Sequence, residues 1–240
     1  MHFIDTHIHL QDFSEDFAPK VIDNYNLEKM ILVCASLGDL EKVERLIDSN
    51  PNKFIGAFGL HPWYWEDIDK VDEIKKYLIK YKNALVGEIG VDRLRGEVND
   101  GQRNLFYKQL EIAKEFNRPV IIHGAKAFEE LKEFREKLKE VKFVHHGFVK
   151  GMDLIDFINE CDGYIGIGAL FLKQEKANEM IKKMPLNRIL FETDAPFRVS
   201  EEKYDEVSRD NLLYLAELMG GDKDKMVAQL YQNAKEFLKC

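Results

Sequence analysis

Short apolar runs alternate along the whole chain with longer segments of helical periodicity. Most of the runs are apolar throughout rather than alternating in polarity, which is typical of strands buried on both faces of a parallel sheet. The pattern predicts eight strands, at Phe3–His7, Met30–Ala35, Phe54–Leu60, Ala84–Ile89, Pro119–His123, Val141–His146, Gly163–Ile167 and Arg188–Thr193.

The segments between these strands are amphipathic, most clearly Gln102–Phe116, where the charged Lys108 and Glu111 lie outside an apolar stripe. The same periodicity predicts helices over Asp39–Ser49, Asp67–Tyr81, Ala127–Leu138, Asp153–Cys161, Glu175–Met184, Glu206–Met219 and Lys223–Leu238. Strands that alternate with helices predict an α/β fold, a single (β/α)8 TIM barrel over residues 1–240. The alternative, a doubly wound open sheet, would show a glycine-rich phosphate turn where the chain has His7-Ile8-His9.

Composition narrows the class of protein. The 240 residues include 35 Lys and Arg against 43 Asp and Glu, a formal net charge of −8, and 45% are apolar. This is ordinary globular composition, so a disordered or low-complexity chain is excluded. The negative charge also speaks against coating nucleic acid with a broad surface, because such binding neutralises phosphates with Lys and Arg. A local phosphate-binding site stays open.

The cysteines and the apolar runs indicate a cytoplasmic protein. Cys34, Cys161 and Cys240 are far apart and odd in number, which favours free thiols in a reducing compartment over a disulfide framework. The start, Met1–Asp5, has no basic segment or apolar core of a signal peptide. The longest apolar run, Tyr164–Leu172, falls well short of the ~20 residues that span a bilayer. We therefore expect no membrane partner.

Candidate chemistry gathers where the predicted strands end. Parallel barrels carry their catalytic groups at the carboxyl ends of the strands, and six of the seven histidines lie at such positions. His7 and His9 are two residues apart in extended chain, so their rings point the same way. An isolated pair of this kind would be read as two surface histidines. In the company of further histidines and carboxylates at other strand ends, the pair indicates a metal site.

Seven sequence blocks occur in an order and spacing that resemble one known family. They are Asp5-Thr6-His7-Ile8-His9, Gly59-Leu60-His61-Pro62, Gly87-Glu88-Ile89-Gly90-Val91-Asp92, the helix-to-strand segment Gln102–His123, His146-Gly147-Phe148, Glu192-Thr193-Asp194-Ala195-Pro196, and Asn233-Ala234 with Phe237. The chain is identified by them as similar to the TatD-type metal-dependent hydrolases, also described as TatD-related deoxyribonucleases, among the amidohydrolase-like barrels.

The resemblance implies two divalent metal ions per chain, of which Zn, Mn, Mg or Ni would suit the ligands. It assigns one metal to His7, His9 and Asp194 and the second to His123 and His146. Glu88 would bridge the two metals together with a water or hydroxide, which would be the nucleophile at neutral pH. Asp194 would also accept the proton of that water. Glu88 and Asp194 are thus the expected catalytic residues.

Other polar residues near the strand ends are expected to support the ligands or contact substrate. Because neighbours on a strand face opposite sides, only one of His145 and His146 should enter the site. The resemblance selects His146, so His145 should face outward against a helix. Glu192 and Asp5 are candidates to orient ligand histidines, and Asp92 is expected to fix its own loop. The expected substrate contacts are His61, Trp63, Arg93 and Lys126, with Arg95, Lys150 and Arg198 completing a basic rim. Rim cations and mouth aromatics are also common without any ligand.

Departures from the family pattern fall in the loops that face substrate. Gln11 stands where an acidic residue or Asn is usual, Gly124 and Ala125 follow the His123 strand, and the stretch after Phe197 is short. We therefore predict the metal site more firmly than the substrate. The expected function is phosphodiester hydrolysis by a two-metal enzyme, a 3′-5′ exonuclease-like deoxyribonuclease acting as a monomer on nucleic acid or a small phosphoester. The alternatives are hydrolysis of an ester, lactone or amide, such as an aminoacyl-tRNA ester, and a non-catalytic metal-binding barrel.

Overall fold

The computed structural model describes residues 2–24 and 26–239, and within them eight parallel strands neighbour one another in chain order. They are β1 (Phe3–Ile8), β2 (Leu27–Val33), β3 (Phe54–Phe58), β4 (Leu85–Asp92), β5 (Val120–Ala125), β6 (Phe143–His145), β7 (Tyr164–Ile167) and β8 (Ile189–Phe191). The predicted TIM barrel is confirmed, and every predicted strand is present with its ends moved by a few residues.

The barrel closes between its first strand and the segment that follows its last strand. The backbone N–H of Asp194 donates to the carbonyl of His7 at 2.9 Å, and the N–H of His9 donates to the carbonyl of Ala195 at 2.8 Å. Ile8 and Ala195 form a parallel bridge between these two hydrogen bonds. This contact between His7–His9 and Asp194–Ala195, which we call the seam, lies at the carboxyl end of the barrel, directly among the predicted metal ligands.

Eleven α-helices lie in the described part of the chain. They are α1 (Ala18–Ile22), α2 (Leu37–Ser49), α3 (Glu73–Lys80), α4 (Asp100–Phe116), α5 (Phe128–Lys132), α6 (Arg135–Leu138), α7 (Met152–Glu160), α8 (Ala169–Leu172), α9 (Ala177–Ile181), α10 (Tyr204–Met219) and α11 (Lys223–Phe237). Single 3-10 turns cover Leu10–Asp12, Leu186–Arg188 and Glu201–Lys203. No helix in residues 2–24 and 26–239 is both long enough and apolar enough to cross a membrane.

Two predicted helices differ from the structure in the same way, because a local tight turn interrupts each. The segment predicted as Asp67–Tyr81 is a 3-10 stretch over Pro62–Lys70 followed by α3. The one predicted as Ala127–Leu138 divides into α5 and α6, where the N–H of Phe134 bonds the carbonyl three residues earlier. Hydrophobic periodicity alone does not distinguish a continuous helix from two short ones on the same face.

Apolar side chains from all eight strands pack together in one cluster, and α11 contributes Ala234 and Phe237 to it. A larger cluster lies between the strands and the surrounding helices. Cys34 and Cys161 are buried and free, as expected, while Cys240 lies outside the described residues. Because the barrel interior is apolar, the candidate site lies at the carboxyl end of the barrel, where the histidines are found.

Candidate metal centre

Five of the eight strands bring the six predicted ligands together. His7 lies in β1 and His9 follows it, Glu88 and His123 lie in β4 and β5, and the remaining two, His146 and Asp194, follow β6 and β8. The parallel arrangement puts all these carboxyl-terminal positions at one end of the barrel. Their ligand atoms form two groups, each within 4.8 Å: Glu88, His123 and His146 in one, and His7, His9 and Asp194 in the other.

Glu88 lies between the two groups and turns one carboxylate oxygen toward each. Its Oε1 is 2.5 Å from Nδ1 of His123 and 2.6 Å from Nε2 of His146. Its Oε2 is 3.6 Å from Nε2 of His7 and 3.9 Å from Nε2 of His9. The carboxylate therefore contacts both groups of candidate ligands, one through each oxygen.

Asp194 completes the second group. Its Oδ1 lies 3.8 Å from Nε2 of His7 and 3.6 Å from Nε2 of His9, and those two nitrogens are 3.2 Å apart. The residue has a positive φ of 53°, a conformation that Asp tolerates better than most side chains. Its backbone hydrogen bond to His7 across the seam holds the carboxylate there.

The electrostatics of the cluster suit divalent cations. Burial alone would raise the pKa of Glu88, but the His146 and His123 imidazoles hold that pKa well below its ordinary value, so the carboxylate is ionised. Burial lowers the pKa of His7, which keeps its ring neutral. Burial opposes the charged form of His146, but the Glu88 carboxylate raises its pKa to about 9, so a cation bound there would displace a proton from this ring. Neutral imidazoles and ionised carboxylates are the ligands that Zn and neighbouring metals prefer. Nε2 of His7 and Nε2 of His9 face each other with at most one proton to share, so the donor set fits metal ions.

Asp92 fixes its own loop, as predicted, and it also contacts a predicted metal ligand. Its Oδ1 accepts a hydrogen bond from the N–H of Leu94 at 2.5 Å, as a loop role requires, but its Oδ2 lies 2.6 Å from Nε2 of His123. The buried carboxylate thus orients this ring so that Nδ1 faces Glu88. Asp92 is four residues from Glu88, an even spacing that would put both on one face of a regular strand, but a register shift between Val86 and Ile89 makes this spacing insufficient as a signal.

Glu192 and Asp5 take different positions behind the ligands. Glu192 is buried, accepts the N–H of Gly147 at 2.5 Å and has Oε1 3.9 Å from Nδ1 of His146. Burial raises its pKa to about 7. Asp5 does not contact a ligand ring, contrary to expectation, because its oxygens accept the backbone N–H groups of His7 and Thr193 and two hydroxyls.

Of the predicted substrate contacts, His61 and Trp63 pack against each other, whereas Arg93 is held in ion pairs. His61 is buried with Nε2 3.9 Å from Oε1 of Glu88, and its ring lies edge-on to Trp63 with centroids 4.6 Å apart. Burial lowers the pKa of His61 to about 3, so the ring is neutral. Arg95, rather than Arg93, stacks on Trp63, 3.5 Å from its centroid.

Arg93 is tied to carboxylates and is a poor candidate for binding substrate. Its guanidinium pairs with the buried Glu130 at 2.7 Å and with Glu97 at 2.9 Å. Lys126 is exposed at the end of β5 with a positive φ of 53°. The free positive charge of the rim thus comes from side chains other than Arg93.

Three residues whose positions the sequence did not fix contact the predicted ligands directly. Nε of Arg198 lies 3.4 Å from Oδ2 of Asp194, and the exposed ring of Phe197 lies edge-on to His9 with centroids 5.0 Å apart. Gln11 donates from Nε2 to the carbonyl of Val33 at 2.8 Å, and the same nitrogen is 3.4 Å from Nδ1 of His9. Their roles depend on loop conformation, which strand-end spacing does not encode.

His145 is buried, but the helix partner expected for it is not found. Across residues 2–24 and 26–239, neither of its ring nitrogens has a hydrogen-bond partner. Burial lowers its pKa to about 3, so the ring is neutral. The ring packs against Gly124, where a Cβ would come within 2.6 Å of Nε2. A glycine after the His123 strand therefore makes room for this second histidine.

Comparisons with known proteins give matches over most of the chain. The family model described as TatD related DNase matches residues 4–239. A protein of Haemophilus influenzae named as an uncharacterized metal-dependent hydrolase is 30% identical over 214 residues, 82% of each chain. The crystal structure of YJJV, a TatD homolog from Escherichia coli K12, has a TM-score of 0.79 at 24% identity, covering 98% of this chain and 97% of that one. A TatD family hydrolase from Entamoeba histolytica has a TM-score of 0.85 at 19% identity, covering 99% and 98%.

Proposed function

The chain belongs to the TatD related DNase family of metal-dependent hydrolases, and from that premise we propose that it cleaves phosphodiester bonds of nucleic acid with two divalent cations. The observation that carries the proposal is the position of Glu88, with Oε1 on His123 and His146 and Oε2 toward His7 and His9. A carboxylate shared between two imidazole pairs is an arrangement that suits a two-metal hydrolase.

The residues take distinct roles in this proposal. His7, His9 and Asp194 would hold one cation, His123 and His146 would hold the other, and Glu88 would be a ligand of both. The chemistry that two such cations supply is a water activated near neutral pH and positive charge facing the phosphoryl oxygens. The protein's own contribution is to fix the donor atoms, through the seam at Asp194 and through Asp92 behind His123.

Asp194 is the proposed proton acceptor. Its side chain is 16% exposed whereas that of Glu88 is 5% exposed, so Asp194 is the carboxylate that substrate and solvent reach. Burial raises the pKa of Asp194, which makes it a stronger base than an ordinary aspartate. It would take the proton of the attacking water while keeping its contacts to the His7 and His9 rings.

The rim supports a phosphoester more than an uncharged ester. Arg198, Arg95 and Lys126 present exposed positive charge at the barrel mouth, and arginine pairs bidentately with phosphate. Phe197 and Trp63 add aromatic faces beside His9 and His61, which suits stacking of nucleobases. The site therefore draws a polyanion locally although the chain as a whole is acidic.

The test compares bond classes on one preparation. Protein reconstituted with Mn²⁺ or Zn²⁺ is assayed on 5′-labelled single-stranded DNA, bis(p-nitrophenyl) phosphate and p-nitrophenyl acetate. We expect hydrolysis of both phosphodiesters, shortening of DNA from its 3′ end, and a loss of roughly 100-fold or more in Glu88→Gln. Lys108→Gln, an exposed change on α4, is the matched control. If only the carboxylic ester is cleaved, or if Glu88→Gln matches wild type on every phosphodiester, the proposal fails.

A further inference from the structure

We propose that the two cation positions differ in affinity, with the Glu88–His123–His146 position holding a resident ion and the His7–His9–Asp194 position holding an exchangeable one. The inference rests on the two-cation site of the proposed function, but it concerns binding and not the bond cleaved. It comes from the groups that lie on the far side of the ligand residues from the cation positions. These groups differ in charge between the two positions, which we call the resident half and the exchangeable half.

In the resident half, formed by Glu88, His123 and His146, a carboxylate lies behind a ligand ring. Oδ2 of the buried Asp92 lies 2.6 Å from Nε2 of His123, so the far nitrogen of that ring donates to a negative charge. Oε1 of Glu192 lies 3.9 Å from Nδ1 of His146, beyond hydrogen-bond distance, and within the described residues this nitrogen has no partner, like Nδ1 of His7, so the supporting carboxylate of this half is Asp92. A carboxylate behind a ligand histidine increases the basicity of the ring and fixes its orientation.

In the exchangeable half, formed by His7, His9 and Asp194, neither histidine has a carboxylate hydrogen-bonded to its far ring nitrogen within the described residues. Nδ1 of His7 is buried and has no hydrogen-bond partner within the described residues. Nδ1 of His9 faces the amide nitrogen of Gln11 at 3.4 Å, and that amide is held by its 2.8 Å hydrogen bond to Val33. When Nε2 of His9 binds a metal, its Nδ1 carries the proton and needs an acceptor. Gln11 presents a donor instead, and its Oε1 is buried without a partner.

Arg198 weakens the same half through charge. Its Nε lies 3.4 Å from Oδ2 of Asp194, the carboxylate ligand of this position. A fixed positive charge at that distance neutralises part of the ligand's charge and repels a cation. Arg198 is 48% exposed, so solvent reduces the effect without removing it. Within the described residues, no Lys or Arg side chain lies at ion-pair distance from Glu88, whose ion-pair contacts are all with histidines.

The experiment is a titration of metal-free protein with Zn²⁺ alone, followed by calorimetry and by elemental analysis after equilibrium dialysis. We expect two binding steps whose dissociation constants differ by roughly 10-fold to 100-fold. His9→Ala should remove the weaker step and leave the tighter one. Asp92→Asn should weaken the tighter step by roughly 10-fold or more.

Two further variants test the cause of the difference. Arg198→Gln and Gln11→Glu should each tighten the weaker step and leave the tighter one unchanged. Lys108→Gln removes the same charge as Arg198→Gln but lies on the outer face of α4 and should change neither step. Far-ultraviolet circular dichroism checks that each variant is folded.

Several outcomes overturn the inference. They are two steps of equal affinity, loss of the tighter step in His9→Ala, and identical titrations for Arg198→Gln and Lys108→Gln. Unequal binding in a protein that cleaves no phosphodiester would refute the proposed function and leave this inference standing. Phosphodiester cleavage by a protein whose two binding steps have equal affinity would refute this inference and leave the proposed function standing.

Discussion

Gly90 lies at the closest backbone approach in the site, and replacing it with alanine should destabilise the barrel there. The residue pairs with His123 across β4 and β5 and has a φ of +148°, a conformation that L side chains rarely adopt. A Cβ on Gly90 would lie 2.0 Å from the carbonyl oxygen of His123 and 2.9 Å from its carbonyl carbon. Both atoms are backbone, so no side-chain rotation relieves the overlap.

The size of the effect follows from two separable costs. Gly96 has a φ of +133° with nothing within 4 Å of its Cβ position, so Gly96→Ala measures the conformational cost alone, about 1 kcal/mol. Carbon and oxygen normally approach to about 3.3 Å, so Gly90→Ala must also push β4 and β5 apart by more than ~1 Å. Overlap of this kind costs about 1–3 kcal/mol, which makes the total for Gly90→Ala about 2–4 kcal/mol.

Urea denaturation of the metal-free protein measures both variants against wild type. A lower midpoint at an unchanged m-value reports a change in the free energy of unfolding. Gly90→Ala should also bind less than two equivalents of Zn²⁺, because the displaced backbone carries His123. If the two alanine variants differ by less than ~0.5 kcal/mol, the overlap with His123 contributes nothing and the reasoning is wrong.

Two other predictions concern the site's support and its metals. Tyr204→Phe removes the 2.9 Å hydrogen bond to Oδ2 of the buried Asp5, and we expect a loss of about 1–3 kcal/mol in the free energy of unfolding. Tyr231→Phe, whose hydroxyl contacts an exposed carboxylate, is the matched control and should be nearly neutral; equal losses would contradict the prediction. Chelation with EDTA should lower the thermal midpoint, because a metal present at a hundredfold its dissociation constant stabilises the folded state by about 2.7 kcal/mol. An unchanged midpoint in wild-type protein would show that no metal stabilises the fold.

The barrel and the gathering of its ligands were predictable because both follow from elementary geometry. Strands buried on both faces are apolar without interruption, and parallel strands present their carboxyl ends at one edge. His7, His9 and His123 could therefore be placed together before any side-chain position was known. The exact ends of strands and helices depend on local hydrogen bonds, which apolar periodicity does not record.

The supporting contacts were harder to predict because they depend on register and on loops. The pairing of β4 with β5 shifts register between Val86 and Ile89, which decides whether Asp92 reaches His123. Arg93 and Arg95 differ by two residues, yet one is tied to Glu130 and the other stacks on an aromatic ring. No spacing rule separates these outcomes, since each depends on the conformation of the loop after β4.

The seam also joins distant parts of the chain. Thr6 donates a hydrogen bond to the carbonyl of Phe191, a contact 185 residues apart in sequence, and His7 and Asp194 meet just beyond it. A cation held by both would act as a reversible cross-link between the first and last strands. Loop closure of this length is entropically costly, and ligand binding offsets that cost in proportion to the logarithm of free metal. The metal supply of the cell would then set how firmly the two ends of the barrel are joined.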